Sequence, residues 1–166
     1  MKYTLYDVTI PVFIRSLETL RKIVKKAKKH AAGKKGGMGA LLNARLAPDM
    51  YNLIQQVQYA YFMALETAVN LSGRPMPKNF KYKEKTAADL DREMKRATAF
   101  LKTIPRGGYG ASKKGVQTFL DPKKKFRAGF YATMLALPNF FFHVTTAYDI
   151  LRHKGVPLTK DDYLGL

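Results

Sequence analysis

The sequence predicts an all-α fold, an up-down four-helix bundle with a short β-hairpin before the last helix. Four stretches repeat apolar residues at steps of three and four, which is the spacing of one helix face. Glycine and proline separate these stretches. The hairpin is predicted from "VQTFL" and "FRAGF", two β-forming runs joined by "DPKKK", in which Asp-Pro favours a turn. A chain of 166 residues is expected to form one domain over residues 1–166.

A basic loop separates the first two predicted helices. Helix one is expected to begin near Thr9, with Pro11 in its first turn. Its apolar stripe ends in "KKAKKHAAGKKGGMG", whose glycines open a loop from Lys25 to Lys35. Helix two is expected to start at "APDM", where Asp49 favours the positive end of the helix dipole, and to run to Leu71.

The last two helices flank the predicted hairpin. Helix three begins at the capping sequence "TAAD" and ends at Pro105. Helix four is expected from about Tyr131 to Lys154, with a kink at Pro138. In an antiparallel arrangement, helices two and four start at the same end of the bundle. The first loop and the hairpin region from Lys113 to Arg127 would then surround that end with positive charge.

Composition bounds the chemistry and the partners. The chain has no cysteine, which excludes disulfides and thiolate chemistry and suits a reducing cytoplasm, the expected location. Residues 128–148 carry no formal charge, but Pro138, Asn139 and His143 lie within them, so no membrane span is expected. Thirty Lys and Arg against twelve Asp and Glu give a formal net charge of +18, which favours polyanions, anionic surfaces or phosphorylated ligands.

Three segments carry a resemblance to a known family. They are "YDVTIPVFIRSLETL", "LLNARLAPDMYNLIQQVQYA" and "LPNFFFHVTTAYDILRHKGV". The two longer segments are similar to the hallmark segments of an uncharacterised bacterial family of DinB-like four-helix bundles, and the first also fits that family. The resemblance covers nearly the whole chain and implies a DinB-like bundle. The wider DinB and YfiT-like group implies a metalloenzyme superfamily, with some thiol-dependent transferases, whose members often form homodimers.

The resemblance also implies where a metal site would lie. The typical site has one histidine on helix two and a His-x-x-x-His pair on helix four. Counting back from the ending "ILRHKGV" places His143 on the last of these positions, and Asn139 then stands where the first histidine of the pair would be. Gln56 matches the helix-two position, with Gln55 or Gln58 as alternatives in a shifted register.

Two of the three expected histidines are therefore missing, which predicts a degenerate metal site. Zinc or nickel needs about three nitrogen, sulfur or carboxylate donors from the protein, and amide oxygens are poor ligands for such ions. Asp49 could add one carboxylate. It stands seven residues before Gln56, and residues seven apart lie on the same face of a continuous helix. We therefore expect no cofactor, with a divalent metal (Zn or Ni) at His143 as the alternative.

His143 and Asp49 each have two interpretations that the sequence leaves open. His143 is either a neutral core histidine bonded to Asp49 or a helix-two glutamine, or a general acid/base in a cleft, with Asp49 as a second catalytic group. Asp49 could equally be a first-turn acid that only stabilises its helix. Arg45 is either its ion-pair partner or, with Gln56 and Asn139, a ligand-binding residue.

These observations predict a homodimeric, DinB-like protein that binds a small ligand in a cleft between helices two and four. A basic mouth would favour an anionic ligand. One alternative is a nucleic-acid or anionic-surface binding module, using basic clusters at 21–35, 78–85 and 113–127 and the interspersed Tyr82 and Tyr109. A second is an active divalent-metal-dependent enzyme, and a third is an interaction protein whose dimer surface is the functional feature.

Overall fold

Four long helices pack around an apolar core in the computed structural model, which describes residues 3–78, 80, 82–111 and 115–166. The elements in chain order are α1 (Leu5–Ala31), α2 (Gly37–Leu42), α3 (Leu53–Ser72), α4 (Ala87–Lys102), β1 (Val116–Thr118), β2 (Asp121–Phe126), α5 (Ala128–Phe130), a π-helical segment (Tyr131–Ala136), α6 (Leu137–His153) and α7 (Lys160–Leu164). The long helices are α1, α3, α4 and α6, and α5 leads through the π-helical segment into α6. The predicted all-α class, with a hairpin before the last helix, is confirmed.

Helices α1, α3 and α4 each begin with a capping box, in which two side chains accept each other's backbone N–H groups. The predicted box at "TAAD" is confirmed in α4. The predicted start of α1 near Thr9 is wrong, because Thr4 and Asp7 form the box and the helix starts at Leu5. Pro11 therefore lies inside the helix and not in its first turn.

The predicted start of helix two at "APDM" is also wrong. Asn52 caps α3 by accepting from the Gln55 N–H, so the helix begins at Leu53 and Asp49 lies in the preceding connection. The local polar pair at 52 and 55 therefore sets the helix start, although Pro48 and Asp49 carry start signals of their own. The predicted first loop is also shorter, because α1 continues through Lys25 to Ala31, and α2 and α7 were not predicted.

Side-chain contacts fix the direction of each helix. Helices α1 and α4 are antiparallel, since Asp7 pairs with Arg106 at one end and Arg21 pairs with Asp91 further along. Helices α3 and α6 are also antiparallel. The start of α3 meets the middle of α6, while Tyr131, which precedes α6, contacts Glu66 in the last third of α3.

Helices α3 and α4 run in the same direction, which corrects the strict up-down order. Tyr61 of α3 donates to Glu84, just before α4 starts, at 2.9 Å. Arg74, just after α3, donates to the hydroxyl of Thr103 at the end of α4, at 2.8 Å. The connection between the two helices therefore returns along the bundle. The predicted helices two and four correspond to α3 and α6, which are antiparallel and so do not start at the same end of the bundle. The predicted meeting of two basic segments at one shared end is therefore wrong.

The last helix departs from α geometry before Pro138. The π-helical segment ends at Ala136, and Pro138 occupies the first turn of α6. A π-helical turn makes i→i+5 bonds, and this relieves the crowding that proline causes at the carbonyl four residues earlier. The predicted irregularity near Pro138 is thus a wider helical segment, Tyr131–Ala136, on its N-terminal side.

The hairpin differs from the predicted one in its turn. Phe119 and Leu120 form the turn, and "DPKKK" is the beginning of β2. The reason is a tertiary contact, because the buried carboxylate of Glu66 accepts from Thr118 Oγ1 at 3.0 Å and from the Phe119 N–H at 3.1 Å. These bonds hold the chain reversal against α3, two residues before the Asp-Pro pair.

The core confirms the apolar stripes of the four helices. The largest fully buried side chains come from α1, α3, α4, the π-helical segment and α6: Tyr61, Tyr131, Phe13, Phe140, Ile10, Leu17, Leu20, Ile23, Leu53, Met63, Leu65 and Leu90. Within the described ranges, none of the helices has the length and apolar character required to cross a bilayer. Lys113 and Lys114, which belong to the third predicted basic cluster, lie outside the described residues.

Candidate ligand site

His143 of α6 and Gln56 of α3 form a buried hydrogen bond. His143 Nδ1 lies 2.7 Å from Gln56 Oε1. Because an amide oxygen only accepts, Nδ1 carries the proton and donates, which leaves Nε2 as the unprotonated ring nitrogen. Gln56 Nε2 in turn donates to the carbonyl oxygen of Tyr51 at 3.2 Å, just before α3 begins. The sequence-predicted pairing of His143 with a helix-two glutamine is present, and of the three candidate glutamines Gln56 makes it.

Burial keeps His143 uncharged. The side chain is almost completely buried, and this desolvation lowers its pKa from 6.5 to about 4. The ring lies in an aromatic stack, with its centroid 5.2 Å from that of Tyr59 and a further stacked contact to Tyr51. The edge of Phe142 closes another side. At neutral pH His143 is therefore a neutral imidazole in an aromatic setting.

An open cavity of about 490 Å³ lies on the adjacent face of α3. Aromatic rings and two amides line it: Tyr51, Gln55, Gln58, Tyr59, Phe62, Tyr82 and Phe119. Four of these residues stand on α3 at spacings of three, one and three, so they share one helix face. Tyr51 and Tyr59 are stacked 4.7 Å apart and lie between the cavity and His143. The cavity therefore borders the His143 pair without containing it.

Glu84 organises the polar edge of this cavity. Its carboxylate accepts from Gln58 Nε2 at 2.6 Å and from the Tyr61 hydroxyl at 2.9 Å. Both bonds cross from α3 to the connection that precedes α4. Burial of the ring, and then the charge of Glu84, raise the pKa of Tyr61 far above its ordinary value. The phenol of Tyr61 is therefore permanently protonated and holds the connection in place.

Tyr82 forms a wall of the cavity in a conformation that bulky residues seldom adopt. Its φ of 50° lies in the left-handed region. Its ring stacks on Tyr61, and its buried hydroxyl has no hydrogen-bond partner within the described residues. Burial, and then the charge of Glu84, raise the pKa of Tyr82, so the phenol stays protonated. A left-handed φ and an unpartnered buried hydroxyl are both energetically costly.

Phe119 reaches the cavity from the hairpin turn. Its ring packs edge-on against Phe62 at 5.0 Å, and its N–H donates to Glu66. Glu66 also accepts from the hydroxyl of Tyr131, at 2.9 Å, in the π-helical segment. One buried carboxylate thus joins α3, the hairpin and the last helix, and it fixes the position of Phe119.

The other sequence-predicted residues do not join the His143 pair. Asp49 is exposed in the connection before α3, so the predicted shared helix face with Gln56 is wrong. Arg45 donates to the carbonyl oxygen of Met50 and makes no ion pair with Asp49 among the described residues. Asn139 is half-buried on α6, one turn before His143, and forms no side-chain hydrogen bond within the described part of the chain.

The residues around His143 do not fit a metal site of the kind that the resemblance implies. Gln56 Oε1 already accepts from the ring, and Asp49 stands outside the helix. Across the described ranges, no three His, Asp or Glu side chains are grouped closely enough to hold an ion. A zinc or nickel ion would find a single good donor there, the Nε2 atom of His143.

Sequence reasoning missed most of the cavity. The available signal was the set Gln55, Gln58, Tyr59 and Phe62, which repeats at helical spacing next to the apolar stripe of α3. The sequence marks Tyr82 only as an aromatic residue within a basic cluster. No local pattern marks Phe119, because a contact distant in sequence places it in the cavity.

The fold and site define a helical-bundle protein with an aromatic cavity beside a single buried histidine–glutamine pair. The family model described as "Domain of unknown function (DUF1993)" matches residues 5–164, and the chain belongs to that family. The chain is also similar to a DinB family member protein from Shewanella denitrificans, known from a crystal structure. The two are 37% identical over 98% of this chain and 92% of that chain, with a TM-score of 0.90. No curated protein matches. The DinB-like resemblance is confirmed.

Proposed function

We propose that this protein binds a small, planar, uncharged organic molecule in the cavity formed by α3, the hairpin turn and the connection before α4. The observation that carries the proposal is the lining, five aromatic rings and two amides around about 490 Å³. Clefts of this size with a few polar groups among apolar walls are typical of small-molecule sites. Flat aromatic walls favour a flat ligand, because stacked rings make close contact without side-chain rearrangement.

Hydrogen-bonding groups in the lining support an uncharged ligand over an anionic one. Gln55 and Gln58 offer amide groups, and Tyr51 and Tyr59 offer hydroxyls. None of the described lining residues is Lys or Arg, and the nearby Glu84 carboxylate would repel an anion. The basic mouth expected from the sequence therefore gives no support to an anionic ligand in this cavity.

The His143–Gln56 pair supports a degenerate metal site in this proposal. Neutral His143 packs on Tyr59 and so backs the cavity wall. A divalent-metal-dependent activity would need donors that the neighbourhood of His143 does not supply, so we propose binding without metal. Homodimer formation, a single domain over 1–166 and a cytoplasmic location stay predictions.

The test uses a matched pair of fluorescent probes. N-phenyl-1-naphthylamine is aromatic and uncharged, and 8-anilinonaphthalene-1-sulfonate has the same ring system with an added sulfonate. We expect the uncharged probe to bind more tightly and Tyr59→Leu to weaken its binding about tenfold, because the variant removes a stacking wall. Fluorescence titration gives both affinities.

Tyr148→Leu is the matched control, because Tyr148 is a half-buried tyrosine that packs on another ring, that of Tyr163, away from the cavity. Equal losses in the two variants would place the probe elsewhere and contradict the proposed site. Tighter, Tyr59-dependent binding of the sulfonate would instead restore the anionic ligand that the sequence predicts.

A further inference from the structure

A row of exposed apolar side chains follows the outer face of the last helix. Phe130 is 50% exposed, Met134 61% and Phe142 53%, and Pro138 between them is also exposed. These four residues are spaced at steps of four along one continuous helix. We call this row the outer stripe. Single exposed apolar residues are ordinary on a protein surface, but a contiguous row marks an interaction surface.

The π-helical segment keeps the outer stripe aligned. In a regular α-helix, positions four apart drift around the axis, because one turn takes 3.6 residues. The wider turns of Tyr131–Ala136 oppose this drift between the first and second members of the stripe. The segment that accommodates Pro138 therefore also aligns Phe130 with Met134.

Strand β2 adds positive charge beside this stripe. The ring of Phe126, at the end of β2, stacks on Phe130 with centroids 5.8 Å apart. Four successive residues of β2, from Pro122 to Lys125, are exposed, so neither face of the strand packs on the core. Lys123, Lys125 and Arg127 form no ion pair within the described residues, and all three are exposed.

The hairpin turn adds two further apolar groups to this region. Phe119 and Leu120 are 43% and 41% exposed at the tip of the hairpin. A basic strand that joins an apolar turn to an apolar helix face presents both components that peripheral binding to a charged bilayer requires. Apolar side chains enter the headgroup boundary, and lysines contact anionic headgroups.

We propose that this surface, the outer stripe together with β2 and its turn, docks on an anionic lipid membrane. Charge complementarity selects this partner over a second copy of the chain. Two copies that met through this surface would bring two β2 lysine strands together, on molecules that each carry a net charge of +18. An anionic bilayer attracts the lysines and accepts the apolar groups. This surface shares Phe119 with the cavity, but Lys123, Lys125, Phe130 and Met134 do not line it.

Vesicle co-sedimentation tests the proposal with phosphatidylcholine vesicles, with and without about 30% phosphatidylserine. We expect binding only to the anionic vesicles, and loss of binding as salt rises from about 0.05 to 0.5 M. Lys123→Glu/Lys125→Glu should lower the affinity at least about twentyfold, since each lysine near such a surface contributes about fivefold. Phe130→Ser/Met134→Ser should lower it about tenfold while leaving the net charge unchanged.

The matched control is Lys22→Glu/Lys25→Glu, two exposed lysines of α1 whose reversal changes the net charge equally. It should retain most of the vesicle binding. Equal losses in both charge-reversed variants, or no binding to anionic vesicles, would overturn the proposal. So would conversion of a dimer to a monomer by Phe130→Ser/Met134→Ser in light scattering, which would assign the face to a second copy. The charge-reversed variant keeps the test valid if the apolar variant unfolds.

Discussion

At the scale of single residues, the hydrogen bond between His143 and Gln56 determines the state in which the histidine exists. The amide oxygen fixes the proton on Nδ1, and burial lowers the pKa to about 4. A general base at neutral pH works best with a pKa near the ambient pH. The neutral ring therefore contributes packing and a fixed hydrogen-bond geometry, and its basicity is low.

This lowered pKa predicts a particular dependence of stability on pH. The unfolded chain binds the proton with an ordinary pKa of 6.5 and the folded chain with one of about 4. The free energy of unfolding should therefore fall as the pH drops from 6.5 towards 4, by about 3 kcal/mol in total. His143→Gln should abolish this component in urea unfolding at pH 7.5 and 5, whereas the exposed His153→Gln should keep it. An unchanged pH dependence in His143→Gln would contradict the prediction.

Sequence reasoning succeeded at residues whose partner lies on a regular helix face. The resemblance places His143 opposite a helix-two glutamine, with Gln56 as the first of three candidates, and the register of α6 against α3 brings His143 to Gln56. It failed at Asp49, whose predicted position assumed that the helix began at "APDM", whereas the helix begins at Leu53. A competing cap at Asn52 moves the helix start and removes Asp49 from the site.

At the scale of elements, the hairpin depends on a single carboxylate of α3. Glu66 is buried and accepts from a hydroxyl of β1, a turn N–H and the phenol of Tyr131. This arrangement explains why the turn falls at Phe119 and Leu120 although Asp-Pro follows directly. Turn propensities are local and weak, so one set of tertiary hydrogen bonds outweighs them. No local sequence pattern contains that information.

Glu66→Leu should therefore release the hairpin. The substitution leaves three donors without an acceptor, so we expect a loss of about 3 kcal/mol in the free energy of unfolding. Hydrogen exchange of the amides in Val116–Phe126 should accelerate while α4 stays protected. Glu18→Leu, at an exposed acid paired with Lys102, should change stability by less than about 0.5 kcal/mol. Unaltered exchange in the hairpin would show that other contacts hold it.

At the scale of the whole molecule, the balance of charge and the order of helix directions have different origins. The order could not be predicted, because a connection long enough to span the bundle permits either direction for the next helix. The excess of lysine and arginine is set by composition alone. Three of the twelve acids, Asp7, Asp89 and Asp162, belong to capping boxes at helix starts. Because twelve acids face thirty lysines and arginines, much of the basic surface lacks a nearby counter-charge.

A net charge of +18 predicts that salt stabilises the protein. Screening reduces the mutual repulsion of the lysines, so the melting temperature should rise by a few degrees between about 0.02 and 0.2 M NaCl. Differential scanning calorimetry measures this rise. Lys22→Glu/Lys25→Glu lowers the net charge and should respond less to salt. A melting temperature that falls with added salt in both proteins would mean that ion pairs outweigh the repulsion.

The returning connection between α3 and α4 has a consequence for how this fold can diversify. Because those helices are parallel, the chain between them must travel back along the bundle, and it lays Tyr82 and Glu84 beside the cavity. These two residues belong to no helix, although Tyr82 stacks on Tyr61 of α3 and Glu84 accepts from Gln58 and Tyr61. Exchange of these two residues would reshape the cavity wall without changing a contact between two of the long helices, although it would remove their contacts to α3. The cavity lining is thus divided between a helix that packs in the core and segments outside the four long helices.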